Sequence, residues 1–183
     1  MIKTFFLSVV IFVVGLGLYL FFYLGAYKGV EIEVANRGPL HLLYKAHAGA
    51  YHQIGDTIRE VETLALAQNW DCRQTFGEYL DNPDNVDQDR LRSRGGCILT
   101  AKPASLPAGY QYEERPTAKY VVGHFSGSPS IGPFKVYPKV KTYLAEHRLM
   151  TTETTIEIYT VDGPRVATEY LFVLAGTGLN TSP

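Results

Sequence analysis

The chain has no excess of charge of either sign. It carries 17 basic and 18 acidic residues, for a net charge of −1. Proteins that bind nucleic acid through its phosphates need a basic surface, so we expect no nucleic-acid partner. The sequence also lacks the GxxxxGK[ST], HExxH and GxSxG patterns, which excludes the common signatures of nucleotide hydrolysis, zinc proteolysis and serine hydrolysis.

Cysteine is equally scarce. Cys72 and Cys97 are the only two in the chain and form no CxxC pair. They form a disulfide if the domain faces an oxidising compartment, but two buried thiols are the state we expect. The five histidines are not spaced as metal ligands, and the acidic loop from 81 to 89 departs from the calcium-binding pattern. We therefore expect no metal and no cofactor.

Charge is absent altogether from residues 4–27. This run exceeds the ~20 apolar residues that cross a bilayer, and four aromatic residues at its C-terminal end suit the headgroup level. We predict a single-pass transmembrane anchor over residues 1–28, with 4–27 in contact with lipid. The alternative is a cleaved signal peptide, whose apolar region is usually ~7–15 residues long. Basic residues on the two sides nearly balance, so the side of the membrane that the domain faces stays unresolved.

Beyond residue 28, two hydrophobic periods alternate. A period of three to four predicts helices over 54–69, capped by Asp56 or Thr57, and after Pro133 to His147, with Pro138 in the first turn. A period of two, with β-branched residues and turn signals, predicts the strands. They cover 30–34, 40–47, 76–80, 96–101, 118–125, 154–160 and 166–174.

The order strand, helix, strand, strand occurs twice. The two copies are offset by about 80 residues, so that Gly49 corresponds to Gly127 and Tyr79 to Tyr159. We predict an α+β fold in which duplicated halves form one curved antiparallel sheet with two helices on one face, preceded by the transmembrane helix. A concavity is expected where the halves meet. The domain is expected to span 29–175, with a flexible tail at 176–183.

Several short motifs carry a family resemblance. Gly49-Ala50-Tyr51, the segment 79–83 followed by Leu91-Arg92-Ser93, and Ile156-Glu157-Ile158-Tyr159 resemble the GyrI-like small-molecule-binding domain. This family includes the gyrase inhibitory protein and the effector-binding domains of AraC-type and multidrug-responsive regulators, and it shares a superfold with SOUL-like haem-binding proteins. The resemblance covers about residues 38–175.

The anchor followed by Gly29-Val30-Glu31 is similar to membrane-anchored members of this family, among them a mammalian receptor for selective autophagy of the endoplasmic reticulum. The similarity stops after Leu174. The acidic tail that carries the adaptor motif of that receptor has no counterpart in this sequence. The one aromatic-x-x-aliphatic tetrad considered, at 170–173, falls in a predicted strand, where core packing explains it. Receptor activity of that kind is therefore not expected.

Glu157 is the candidate binding residue. It alternates with Ile156 and Ile158, so it shares the other side of its strand with Thr155 and Tyr159. Strand alternation alone favours a glutamate on the solvent side of a half-exposed strand. The family resemblance instead implies that this carboxylate sits in an aromatic-lined cavity and pairs with cationic ligands. The aromatic residues that we expect around it, for each of which core packing is an alternative, are Tyr159, Tyr79, Tyr51, Trp70 and Tyr120.

These observations predict a membrane-anchored domain that binds a small lipophilic cation and senses or sequesters it. One alternative is a membrane-proximal protein-interaction or receptor module, in which the concave sheet binds a segment of a partner protein. A second alternative is a hydrolase of strained electrophilic toxins, in which Glu157 and a nearby tyrosine act on the substrate. We assign no catalytic residue from the sequence.

Overall fold

The computed structural model describes residues 2–163 and 165–175, so the predicted tail at 176–183 lies outside the described residues. The chain begins with one long helix, and the domain that follows contains eight strands and two further α-helices. Their bounds are α1 Ile2–Tyr23, β1 Glu31–Arg37, β2 Leu40–Ala48, α2 Ile54–Ala67, β3 Cys72–Tyr79, β4 Arg92–Leu99, β5 Gln111–Arg115, β6 Ala118–Phe125, α3 Gly132–His147, β7 Thr151–Asp162 and β8 Arg165–Leu174.

Helix α1 extends away from the domain. Its segment Lys3–Tyr23 is long and apolar enough to cross a membrane, and none of that segment is buried by the rest of the chain. Large apolar side chains therefore cover its whole circumference. A helix that is apolar on all sides and unpacked is suited to lipid rather than to a protein core.

The eight strands form one antiparallel sheet in the order β1-β6-β8-β7-β3-β4-β2-β5. This confirms the predicted α+β class and its curved antiparallel sheet. The halves meet at β3 and β7, and the order is symmetric about that pair. The first half comprises β1 to β4 and the second half β5 to β8. The first strand of each half lies at the edge of the other half, because β1 pairs with β6 and β5 pairs with β2. Strand β5 was not predicted, because its sequence QYEER is polar and lacks clear alternation.

Both domain helices pack on one face of the sheet, as predicted. Helix α2 buries Ile54, Ile58, Val61 and Ala65 against β2, β3 and β4, and α3 packs on β6. The predicted caps are wrong, because α2 begins at Ile54 and no side chain caps its N-terminus. Asp56 and Thr57 instead lie in its first turn.

The predicted place of Pro138 is also wrong. Helix α3 begins at Gly132, so Pro133 lies in its first turn and Pro138 lies inside the helix. A proline inside a helix has no N–H to donate to the carbonyl four residues earlier, which here belongs to Phe134.

The opposite face of the sheet is also buried, although neither domain helix packs there. A salt bridge lies on this face, where Nη1 of Arg115 is 2.8 Å from Oε1 of Glu78 and both side chains are buried. Glu113 and Arg94 extend it toward solvent. The apolar residues of this face are Leu40, Leu42, Tyr44, Phe76, Ala118, Tyr120, Val122, Ile156, Ile158, Leu171 and Val173.

Cys72 and Cys97 form a disulfide, which corrects the expectation of two buried thiols. The two residues lie on the neighbouring strands β3 and β4. Cys97 is paired with Thr75, and an irregularity between Cys72 and Gln74 shifts the register there. The Cα atoms are 5.4 Å apart, within the range that a disulfide requires. Sequence spacing alone could not show that these two strands are adjacent.

Candidate functional site

The middle of the sheet carries a polar cluster on its helix-facing side. Strand β7 alternates, so that Ile156 and Ile158 join the opposite core and Glu157 points between α2 and α3. Only 3% of Glu157 is exposed. A carboxylate at this position requires hydrogen-bond donors, because burial without them is costly.

Tyrosine hydroxyls supply those donors. Oη of Tyr137 donates to Oε1 of Glu157 at 3.1 Å, and Oη of Tyr159 donates to Oε2 at 3.0 Å. Tyr79 contacts the cluster through Tyr159, with the two Oη atoms 3.2 Å apart. Since the proton of Tyr159 is directed at Glu157, Tyr79 is the donor in that contact. The cluster therefore joins α3, β7 and β3 through one carboxylate.

Burial raises the pKa values of the titratable groups in this cluster. Desolvation raises the pKa of Glu157 to about 7, although the hydrogen bonds from Tyr159 and Tyr137 lower it. Burial and the neighbouring carboxylate also raise the pKa values of Tyr79, Tyr137 and Tyr159, so these phenols stay neutral. Glu157 is consequently the group of the cluster that changes charge near neutral pH.

A glycine provides space beside the carboxylate. Gly77 of β3 pairs directly with Glu157. A Cβ atom at Gly77 would lie 3.1 Å from Oη of Tyr79 and 3.4 Å from Cδ1 of Ile54. The missing side chain therefore lets the Tyr79 ring lie across β3 and lets α2 approach the sheet.

Tyr51 forms the outer edge of the cluster. Its ring meets that of Tyr79 edge to face, with centroids 4.8 Å apart. Its hydroxyl donates to the carbonyl of Asp81 at 2.7 Å and accepts the N–H of the same residue at 3.0 Å. An open groove of about 290 Å³ adjoins this edge, and its lining residues are Tyr51, His52, Pro83, Val86, Gln88 and Leu91.

The two remaining predicted rings lie elsewhere. Trp70 packs beside Val61, Cys97 and other residues under the far end of α2. Tyr120 is fully buried in the core on the opposite face of the sheet. The expectation that both line the cavity is corrected, because strand parity and the end of α2 direct them away from Glu157.

Two tyrosines of the cluster were missed by sequence reasoning. Tyr137 of α3 hydrogen-bonds Glu157, and its ring lies edge to face on that of Tyr170, with centroids 6.1 Å apart. Tyr170 pairs with Glu157 across β7 and β8. Pairing the last two predicted strands would have located Tyr170. No local signal reports Tyr137, because its role depends on how α3 packs.

Chemically, the cluster offers one carboxyl group surrounded by aromatic rings. Ring faces carry negative potential and an ionised carboxylate carries a full charge, so the combination favours a cation with an apolar body. Within residues 2–163 and 165–175, no three histidine, cysteine or acidic side chains are grouped as metal ligands.

Comparison with known proteins agrees with this geometry. A sequence profile described as the GyrI-like small molecule binding domain matches residues 30–173. Comparison with curated proteins finds no match.

Solved structures share the fold at low identity. A structure of an EcmrR–DNA complex aligns with a TM-score of 0.65 and 10% identity, covering 94% of this chain and 68% of that one. The EcmrR C-terminal domain aligns with a TM-score of 0.63 and 12% identity, over 79% and 97% of the two chains. SAV2435, in a structure bound to tetraphenylphosphonium, aligns with a TM-score of 0.55 and 15% identity, over 80% and 94%.

Proposed function

The chain belongs to the GyrI-like small-molecule-binding domain family, and from this premise we propose that it binds a lipophilic cation at Glu157. The observation that carries the proposal is a carboxyl group almost fully buried among tyrosine rings. Burying a charge is costly unless something of opposite charge pairs with it. The similarity in fold to SAV2435, whose structure contains tetraphenylphosphonium, supports a cation of that kind.

In the structure as it stands, the site is closed. Tyr137 and Tyr159 occupy both carboxylate oxygens, so a bound cation must approach past at least one of these rings. The groove beside Tyr51 is the surface opening next to this cluster. A ligand that entered there would have to separate the Tyr51 and Tyr79 rings, which are in contact. A ligand that displaces a tyrosine hydroxyl must compensate the lost hydrogen bond, which the Coulomb attraction of a full positive charge can do in a buried site.

Helix α1 supports a location of this binding site next to a membrane. Its length and composition suit one crossing, so the domain would sense or sequester its ligand next to the bilayer in which lipophilic cations accumulate. EcmrR resembles this chain and has been seen with DNA. The chain itself has a net charge of −1, which supports a ligand-binding role without direct contact with DNA.

The test is a thermal unfolding series of the full chain in lipid nanodiscs with added tetraphenylphosphonium. We expect the cation to raise the unfolding temperature of the parent chain and of Glu153→Gln, an exposed glutamate on the same strand. Glu157→Gln should lose the shift. Neutral triphenylphosphine oxide should give little shift with any variant. Equal shifts for Glu157→Gln and the parent would refute the site.

A hydrolase is the second candidate, and one observation favours it. A general base works best when its pKa lies near the operating pH, and burial raises the pKa of Glu157 to about 7. Tyr137 and Tyr159 would then orient a strained electrophile beside it. The readout is a ring-opened product detected by mass spectrometry, which Glu157→Gln should abolish and Glu153→Gln should leave unchanged.

A further inference from the structure

The end of the membrane helix is attached to the domain at a defined place. The N–H of Ser128 donates to the carbonyl of Leu24 at 2.9 Å. Nζ of Lys28 donates to the carbonyl of Ser126 at 2.6 Å. From the first turn of α3, Nζ of Lys135 donates to the carbonyls of Ala26 and Lys28 and lies 5.3 Å from the centre of the Phe125 ring. These bonds fix the orientation of the domain relative to α1.

The length of α1 gives the depth of this attachment. The apolar segment Lys3–Tyr23 has 21 residues. At 1.5 Å per residue it spans about 31 Å, which matches the ~30 Å hydrocarbon core of a bilayer. Residues after Tyr23 therefore enter the headgroup layer, which is ~5–8 Å thick on each side. Ser128 and the ammonium group of Lys135, which contact residues 24–28, lie at the same level.

Phe134 directly precedes Lys135, and its side chain is 81% exposed. Consecutive Cα atoms are about 3.8 Å apart, so its backbone is held close to the level of Lys135. An exposed aromatic ring in water needs no special explanation. At this level, however, the ring has an apolar partner within reach, because phenylalanine side chains on interfacial helices insert at the boundary between headgroups and acyl chains.

We propose that the first turn of α3 is a second membrane-contact surface, in which Phe134 inserts into the interface of the bilayer that α1 crosses. The proposal rests on the proposed anchoring by α1, with which this surface is continuous. The occupant is lipid, because the neighbouring Lys135 is bonded to the backbone carbonyls of Ala26 and Lys28 at the end of the anchor, which holds this turn next to the bilayer. A second contact of this kind would limit how far the domain and α1 together tilt relative to the bilayer surface.

Depth-dependent fluorescence quenching tests the contact. The native Trp70 is replaced by phenylalanine, and a single tryptophan is introduced as Phe134→Trp or as the control Leu66→Trp. Leu66 is 78% exposed on α2, in the other half of the domain. Each full chain is reconstituted in phosphatidylcholine vesicles with bromine at the headgroup end of the acyl chains. We expect at least twofold quenching for Phe134→Trp and none for Leu66→Trp.

Equal quenching at the two positions, or none at either, overturns the contact, as does a shifted emission without quenching, which would indicate that a second copy of this chain covers the position. Flotation of the same vesicles separates the two proposals. A chain that floats without quenching at position 134 retains its anchor and lacks the contact, whereas a chain that does not float refutes both. If Trp70→Phe weakens the fold, Trp70 is kept and the quenching of the parent chain is subtracted.

Discussion

Oη of Tyr137 lies 3.1 Å from Oε1 of Glu157, which connects helix α3 to the centre of the sheet. Under the proposed function, a bound cation would pair with this carboxylate, so the cation and the Tyr137 hydroxyl would compete for it. The protein uses a neutral hydroxyl there, which a positively charged group can replace.

Removing this hydroxyl should favour the ligand. Tyr137→Phe loses one hydrogen bond to a buried carboxyl group, so we expect the free energy of unfolding to fall by about 1–3 kcal/mol. Tetraphenylphosphonium should bind roughly fivefold more tightly, because a saving of about 1 kcal/mol in displaced bonding corresponds to that factor. Titration calorimetry in nanodiscs measures the affinity. Tyr143→Phe, on the same helix beside His147, is the matched control. Weaker binding by Tyr137→Phe would contradict the competition.

The raised pKa of Glu157 predicts how stability depends on pH. The folded chain keeps the carboxyl proton up to about pH 7, whereas the unfolded chain releases it near 4.5. The folded state therefore binds more protons in this window, and stability falls as the pH rises from 4.5 through 7. The loss amounts to about 3 kcal/mol by pH 8.

Glu157→Gln should remove that part of the pH dependence. Urea unfolding at pH 5 and pH 8 measures it, with Glu153→Gln as the exposed control on the same strand. The parent and the control should lose stability between the two pH values by about 3 kcal/mol more than Glu157→Gln does. An identical pH profile for all three chains would show that Glu157 does not titrate abnormally.

Gly77 should not tolerate a methyl group. A Cβ there would lie 3.1 Å from Oη of Tyr79, so Gly77→Ala must displace the ring or α2. We expect a loss of about 1–3 kcal/mol in the free energy of unfolding. The same substitution at Gly29, where a Cβ meets no atom within 4 Å, should be nearly neutral. Chemical unfolding of both variants decides the point, and equal effects would mean that β3 and α2 adjust freely.

The ion pair on the opposite face should be sensitive to the loss of one partner. Arg115→Met leaves Glu78 buried without its closest cation, which costs about 3–5 kcal/mol for buried pairs. Arg73 pairs with Asp71 at the surface, so Arg73→Met should cost less than about 1 kcal/mol. Urea unfolding compares the two variants. A small effect at Arg115 would show that Arg94 alone can compensate Glu78.

The disulfide should be measurable in the intact chain. We expect no maleimide labelling of the denatured chain before reduction and two labels after it, since both cysteines are bonded to each other. The bond links residues 25 apart in sequence. Constraining a loop of that length stabilises the fold by about 3.5 kcal/mol, which reduction should remove in urea unfolding. Two reactive thiols in the unreduced, denatured chain would show that the bond is absent.

The sequence predicted most elements because periodicity is a local property. Strands β2, β6 and β8, and both domain helices, are visible in the alternation of apolar and polar residues. Strand β5 was missed because its pairing with β2, not its own residues, makes it a strand. Strand β3 begins at Cys72, earlier than the predicted start at 76. This extension and the pairing of the two cysteines likewise depend on contacts with β4, a distant segment of the sequence.

Some residues of the candidate site could likewise be predicted from the sequence, and others could not. Glu157, Tyr159 and Tyr79 could be selected from motifs and from strand parity, because a β-strand fixes which side chains share a face. The positions of Tyr137 and Trp70 depend on how α3 and the end of α2 pack, and the face on which Tyr120 lies depends on the register of β6 in the sheet. No window of sequence reports either.

The exchanged edge strands make the two halves of the domain interdependent. A chain cut in the connection between β4 and β5 would leave an N-terminal piece without the β5 partner of β2, and a C-terminal piece without the β1 partner of β6. Each fragment would present an unpaired strand edge, the feature through which polypeptides aggregate or recruit another copy. Only when mixed would the fragments complete each other's sheet, as two subunits of a strand-swapped dimer do.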